Sequence, residues 1–289
     1  MKRIRHAMLS TLLLGACSHS WDDCGERYCL DVRPPQHAGG VGAAQGLDVM
    51  NDVIWIIGDA DTGVARAFSL AAHGDLEPTG ARIALTENGG NLVPHPTGLT
   101  SQSGVGTFLG NTVGGRGEIL LVDWDMAAAN GTLDGAVLNV VQDGEAREGS
   151  RPELVWTDNR WLLASADYGD DRNEVRLYDP DFLLSAADTT EANVLVARYP
   201  SPPYVQSLHY WAAEDVLILV RNRKSGEGWR LTCVDVTATW SSGALVVVDE
   251  LEPGAPGELE GLHVVDGERV LMVTSSRSNN AYPGTLTRR

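Results

Sequence analysis

The chain has 289 residues, 43% of them hydrophobic, and a formal net charge of −17. The length is enough for one large all-β domain. The acidity excludes a Lys/Arg surface for nucleic-acid phosphates and a polybasic membrane contact, while fitting a solubilising surface and remaining compatible with cation binding.

The chain opens on a positive segment, Met1-Lys2-Arg3-Ile4-Arg5-His6, followed by the apolar run Ala7-Met8-Leu9-Ser10-Thr11-Leu12-Leu13-Leu14 and the small residues Gly15-Ala16. Residues 1–16 therefore have the three-part layout of a secretory signal peptide. The run is too short for a stable membrane span, which needs about 20 apolar residues. The segment Leu14-Gly15-Ala16-Cys17 resembles the bacterial lipobox. That resemblance implies cleavage before Cys17 and acyl chains on its thiol and amine, enough for stable anchoring in a membrane. Ser18, where an aspartate would retain the protein in the inner membrane by the enterobacterial sorting rule, implies the outer membrane. Residues 17–27 then comprise the lipidated cysteine and a short tether. In such an exported compartment Cys24 and Cys29 are expected to form a disulfide. Cys233 sits in an apolar strand and reads as a buried free thiol, with a three-cysteine zinc site as the sharper alternative.

From residue 28 onward the chain repeats. Leu47, Leu99, Leu154, Leu208 and Leu262 follow one another at spacings of 52, 55, 54 and 54 residues. An apolar strand follows each: Val53–Ile57, Gly106–Leu109, Arg160–Leu163, Val216–Leu219 and Val270–Val273. Third strands appear at Ala65–Phe68, Ile119–Asp123, Val175–Asp179 and Leu231–Asp235, the last three ending in aspartates 56 residues apart. Fourth strands appear at Arg82–Leu85, Val137–Val141, Val194–Ala197 and Ala244–Val248. Short apolar runs between Gly, Asp and Asn clusters are strands, and no stretch shows sustained helical spacing. Four strands in a repeat of roughly 50 residues point to a β-propeller. The fold class is all-β: a five-bladed β-propeller with four-stranded blades, one domain over 28–289.

The fifth repeat stops at its third strand, Thr285–Arg289. Cys29-Leu30-Asp31-Val32 supplies the fourth: Val32 lies 15 residues before Leu47, as Leu85 lies 14 before Leu99. The N-terminal strand should thus close the ring and cover a sheet edge.

Loops entering the first strands and loops joining strands two and three are expected to share one channel mouth. The ligand-binding candidates there are Gln45, Asp48, Glu153, Gln206, His209, Glu260 and His263. Asp59, Asp61, Asn111, Arg116, Asp167, Asp170, Arg221, Arg223 and Arg277 come from the loops between strands two and three. Asp48, Thr100, Val155, His209 and His263 each follow a repeat leucine. Asp48, His209 and His263 fall in neighbouring blades, and two imidazoles with a carboxylate form a donor set for a divalent metal in the channel. The alternative is packing between blades. Trp55, Trp156, Trp161 and Trp211 lie on or beside inner strands. Aromatic platforms suit sugars, whereas Trp55 and Trp161 are placed for core packing.

Glu258–Leu262 with Val270–Ser275 resembles a blade of secreted phytase-like lipoprotein propellers. Arg151–Leu154 with Asn159–Ser165 resembles a blade of arabinanase-type glycosidases, a resemblance that implies carboxylates on three successive blades. Asp48 and Glu153 match two of them; the second blade offers Thr97 and Thr100 instead. The reading that follows is a lipid-anchored, monomeric envelope module that binds a protein or polysaccharide, with no catalytic residue assigned. The alternative is a glycoside hydrolase or lyase using a channel-bound divalent ion.

Overall fold

The computed structural model describes residues 21–72, 74–146, 148–223 and 228–289. The leader and Cys17 lie outside the described residues. Five antiparallel sheets each begin with an inner strand and continue outward. The first blade comprises Ala44–Met50, Val53–Asp59, Gly63–Leu70 and Leu76–Ala84. The second comprises Pro96–Gln102, Gly106–Val113, Arg116–Val122 and Val137–Asp143. The third comprises Glu153–Thr157, Arg160–Ala166, Glu174–Tyr178 and Leu195–Pro200, and the fourth Val205–Trp211, Val216–Arg221, Arg230–Asp235 and Val247–Leu251. The fifth takes Leu259–Asp266, Arg269–Thr274 and Ala281–Arg288 from the C-terminus and Tyr28–Val32 from the N-terminus. Inner strands touch in the order first, second, third, fourth, fifth, first, so the blades form a closed five-membered ring.

The continuous apolar character of the second strands has a direct cause. Each blade is sandwiched between two others, so both faces of its sheet are buried. Along Val53–Asp59, Ile54 and Ile56 pack against Leu271 and Val273 of the fifth blade, while Trp55 and Ile57 pack against Leu99 and Leu109 of the second. Along Val216–Arg221, Val216, Ile218 and Val220 face the fifth blade and Leu217 and Leu219 the third. The five repeat leucines fall one into each of five separate cores, one core per blade–blade junction. Each buried leucine contributes about 1.5–3 kcal/mol, and the repeat period is the distance along the chain from one junction to the next.

The closing strand pairs with the last strand from Tyr28 opposite Arg288 to Val32 opposite Gly284. Leu30 and Val32 are buried against Leu286 and Met272. Trp21–Cys24, which falls within the expected tether, adds a fifth strand to this blade. A disulfide joins Cys24 to Cys29, and Cys233 is a buried free thiol.

Two sequence expectations need correction. Of the aspartates at 123, 179 and 235, Asp235 ends its strand while Asp123 and Asp179 lie one residue beyond theirs, and all three cap short helices, Trp124–Asn130, Pro180–Leu183 and Val236–Ser242. Asp123 Oδ1 accepts from the Met126 N–H at 2.9 Å and Asp235 Oδ1 from the Ala238 N–H at 2.7 Å, satisfying donors that a helix start leaves free. Helices this short cannot display helical periodicity in sequence. The outer strand of the fourth blade also begins later than Ala244, at Val247, because the third helix and its Gly243 cap occupy the preceding residues.

A buried polar knot fastens the second blade to the third. The fully buried Arg176 donates to Asp167 Oδ2 at 2.6 Å and to the Tyr178 hydroxyl at 2.8 Å, and Tyr178 donates to Asp143 Oδ1 at 2.7 Å. Ser150 and Thr189 donate to the same carboxylate. Two carboxylates within ion-pair distance, Asp167 and Asp143, make the buried guanidinium tolerable.

Candidate functional site

The inner strands define a channel with a throat between two ends. Gly46, Gly98, Pro152, Ser207 and Gly261 line the throat with the neighbouring leucines. A Cβ on Gly261 would lie 2.9 Å from Leu47 Cδ2 and 3.1 Å from Gly46 Cα, so the close approach of the first and fifth blades requires glycine there.

The seven ligand candidates divide between the two ends. Gln45, Gln206 and Glu260 lie where the inner strands begin. There Gln206 Nε2 donates to Glu258 Oε1 at 2.7 Å. Burial, then the Glu258 charge, pushes Glu260 up to about 8 against the opposing pull of Arg151. Most of the loop residues at this end are engaged. Asp167 holds Arg176, Asp170 accepts from the Tyr204 hydroxyl at 3.1 Å, Arg223 pairs with Glu252 at 2.8 Å, and Arg221 donates to Thr232 at 2.9 Å.

Asp48, Glu153, His209 and His263 lie together at the other end, beside the turns joining strands one and two. With Thr100 they place one polar side chain from each blade around a pocket of about 360 Å³. The register that does this is not uniform. Inner-strand pairing shifts near the leucine in four blades and runs straight in the third. In the third blade Val155, the residue after the leucine, packs into a blade–blade core. Glu153, the residue before it, lines the pocket instead, where the other blades carry Gly46, Gly98, Ser207 and Gly261.

Two carboxyl–imidazole pairs face each other. Asp48 Oδ1 stands 3.3 Å from His263 Nδ1, and Glu153 Oε1 stands 3.6 Å from His209 Nδ1. The two imidazole rings are 4.4 Å apart between centroids. His209 Nε2 accepts the Val264 N–H at 3.1 Å, which fixes the proton of the neutral ring on Nδ1, toward Glu153. Glu153 Oε1 accepts the Tyr210 N–H at 2.7 Å and takes a second hydrogen bond from Thr100. Asp48 Oδ1 accepts the Val49 N–H at 2.8 Å, whereas Oδ2 is buried with no hydrogen-bond partner among the described residues.

Burial dominates the electrostatics. It pushes Asp48 up to about 8 against the backbone N–H groups of Val49 and Ser101, and it pushes Glu153 well above the usual carboxylate range, with a smaller contribution from Asp48. It lowers His263 to about 4, and it lowers His209 with a further contribution from His263. Among the described residues no Lys or Arg lines this pocket. All four groups are therefore held in their neutral forms, as desolvation without a compensating charge requires.

For the metal set, Asp48, His209 and His263 are close, but His209 Nε2 is committed to a backbone N–H and both Nδ1 atoms face carboxyls. Among the described residues no group of three or more His, Cys, Asp or Glu side chains is arranged to hold a metal ion.

Aromatic residues extend from the pocket. Trp161 and Tyr210, both half-buried, line it, with rings 6.3 Å apart; Trp156, 44% exposed, meets Trp161 at 5.5 Å. Trp55 instead stacks edge-on against Trp124 inside a core. The ligand candidates named from the sequence do not include Tyr210 or Thr100. Thr100 follows a repeat leucine, which is a signal; Tyr210 lies off that position, and nothing in its spacing marks it.

Together the closed ring and its channel define a five-bladed β-propeller. No family model matches the chain, and no curated protein does. Solved structures similar to it include a chain of the mitotic checkpoint complex, 12% identical with a TM-score of 0.43, covering 82% of this chain and 60% of that one. Hydrazine synthase of Kuenenia stuttgartiensis is 10% identical with a TM-score of 0.43, covering 88% and 68%. The Dos1 propeller is 10% identical with a TM-score of 0.43, covering 86% and 73%. Likenesses at this level carry no argument about function.

Proposed function

We propose that this protein is a lipid-anchored binding module of the bacterial cell envelope, held at the outer membrane through Cys17, that captures an envelope protein or polysaccharide as a monomer. The observation that carries the reading is the five-blade pocket, continued outward by Trp161 and the exposed Trp156. An aromatic surface leading into a recess with a few polar groups is the usual form of a recognition site, and a rigid ring with variable turns suits presenting one. Fold alone does not supply a function. The glycoside hydrolase or lyase reading gains support from Asp48 and Glu153 sharing one pocket. It ranks second because the second blade brings Thr100, not a carboxylate, to that pocket.

The reading has two tests. Cys17→Ser should abolish incorporation of labelled palmitate and release the protein from the membrane fraction; unchanged labelling and retention would refute the anchor. A photo-crosslinking residue at Trp156 should join the protein to an envelope protein or polysaccharide in cells. The same residue at Leu138, exposed on the outer strand of the second blade, should not. Equal crosslinking at both positions would refute recognition through the pocket end.

A further inference from the structure

We propose that the pocket takes an organic cation, an ammonium group borne by a peptide or by a sugar, seated against Asp48 Oδ2 and the Glu153 carboxyl. This deepens the binding reading and rests on it. The Asp48 side chain is only 7% exposed, lines the pocket, and keeps one carboxyl oxygen without a hydrogen-bond partner among the described residues. A buried carboxyl oxygen left unsatisfied costs free energy that a donor from a ligand recovers. The second carboxyl, Glu153, lines the same pocket, yet among the described residues no Lys or Arg side chain does. Buried carboxylates are stable when paired with a cation, so the charge this pocket lacks is one a ligand would bring.

The groups facing Asp48 from the packed elements are His263 of the fifth blade, His209 of the fourth and Glu153 of the third, with Thr100 of the second. The histidines are held neutral by burial and do not supply that charge. Trp161 lines the pocket, and an aromatic ring there attracts a desolvated ammonium. A bare metal ion fits less well, because the cavity is far larger than an ion and His209 Nε2 already accepts a backbone N–H while its Nδ1 faces the Glu153 carboxyl. A neutral sugar hydroxyl would donate to Asp48 Oδ2 without displacing its proton, so it supplies a hydrogen bond but no charge pair. Because burial holds Asp48 protonated in the free protein, an arriving ammonium ionises it and a proton leaves to solvent.

The test is calorimetric titration of the detergent-solubilised full chain with two matched pairs. N-acetyl-lysinamide is compared with N-acetyl-norleucinamide, and glucosamine with glucose. At least one ammonium compound should bind about tenfold or more tighter than its neutral partner. Its binding heat should vary with buffer ionisation enthalpy, reporting proton release. The preferred pair identifies the source as peptide or sugar. Asp48→Asn should lose the preference while melting no lower than the parent; if that variant does not fold, Glu153→Gln gives the same reading. Equal affinities within both pairs, or a preference that survives either substitution, overturns the proposal. So does zinc bound at one equivalent that displaces the ammonium compound. Glucose binding as tightly as glucosamine, with no preference in the lysinamide pair either, overturns the cation while leaving the binding reading intact. No binding by any of the four overturns the cation, and the binding reading then stands or falls on crosslinking at Trp156.

Discussion

At the residue scale, Asp48 links the pocket to stability through protons. Its folded pKa, raised by burial to about 8, exceeds the ordinary value of 3.8, so the folded protein holds a proton there that the unfolded chain releases. Stability from this group is fully present below about pH 4 and declines as pH rises toward 8. His263 acts oppositely: its folded pKa of about 4 lies below the ordinary 6.5, so its penalty grows as pH falls from 6.5 to 4. Between about pH 4 and 6.5 the two slopes offset each other, and above that range the decline due to Asp48 remains, reinforced by Glu153, which moves in the same direction. Asp48→Asn keeps the shape of the neutral acid without its ionisation. Each tenfold change in proton affinity between the folded and unfolded states is worth about 1.4 kcal/mol. The variant is therefore expected to exceed the parent by several kcal/mol above the Asp48 pKa and to match it near pH 4. Urea denaturation across that range measures the difference, and an equal pH slope in both proteins would contradict the assignment. The sequence marked Asp48, His209 and His263 by their place after the leucines. It did not mark which ring nitrogen is free or that Asp48 keeps an unpartnered oxygen, because both depend on groups from other blades.

At the element scale, the closing hairpin is held by one side chain of a different blade. Asp249, on the outer strand Val247–Leu251 of the fourth blade, accepts N–H groups from Glu26, Arg27 and Tyr28 at 2.9, 2.9 and 2.8 Å. Burial pushes its pKa up, but these bonds and that from Glu250 outweigh it and hold the carboxyl below the usual range. Gly25 permits the approach, since a Cβ there would lie 1.9 Å from Asp249 Oδ1. Asp249→Ala leaves three backbone donors without their acceptor and should cost about 2–4 kcal/mol in chemical denaturation. Because the folded pKa lies below 3.8, the parent's advantage should be present above that pH and vanish as pH falls through the folded value. A loss under about half a kcal/mol would show that solvent replaces the carboxylate and that the clamp does not matter. The closing strand was legible from the register of Val32 against Leu47. The clamp was not, since residues 26–28 and 249 are remote in sequence and meet only after the ring closes.

At the scale of the whole molecule, closure is the property on which the five junctions depend. Deleting Cys29–Arg33 removes Leu30 and Val32 from the junction between the fourth and fifth blades and exposes the edge of Ala281–Arg288. The two apolar side chains alone account for about 3–6 kcal/mol, and a ring opened at one blade also loses the mutual support of the rest. The truncated protein should melt far below the parent or fail to fold cooperatively. A melting temperature within about one or two degrees of the parent would mean that the ring holds without its closing strand.

The sequence by itself determined the architecture: five blades, four strands each, both faces apolar, the last blade completed from the N-terminus. These features are carried by periodicity along the chain. A sheet buried on both faces must repeat its apolar strands, and a repeat one strand short must find it elsewhere. Only the tertiary structure decided the site. Glu153 and Val155 lie two residues apart on one face of a straight strand, so which of them reaches the pocket is set by height along the channel, and that follows from the unshifted inner-strand register of the third blade. Gln45, Gln206 and Glu260 part from Asp48, Glu153, His209 and His263 because the throat of small residues and leucines lies between them. The neutral state of the four pocket groups follows from burial among five blades at once, a property of the closed ring that no single blade possesses.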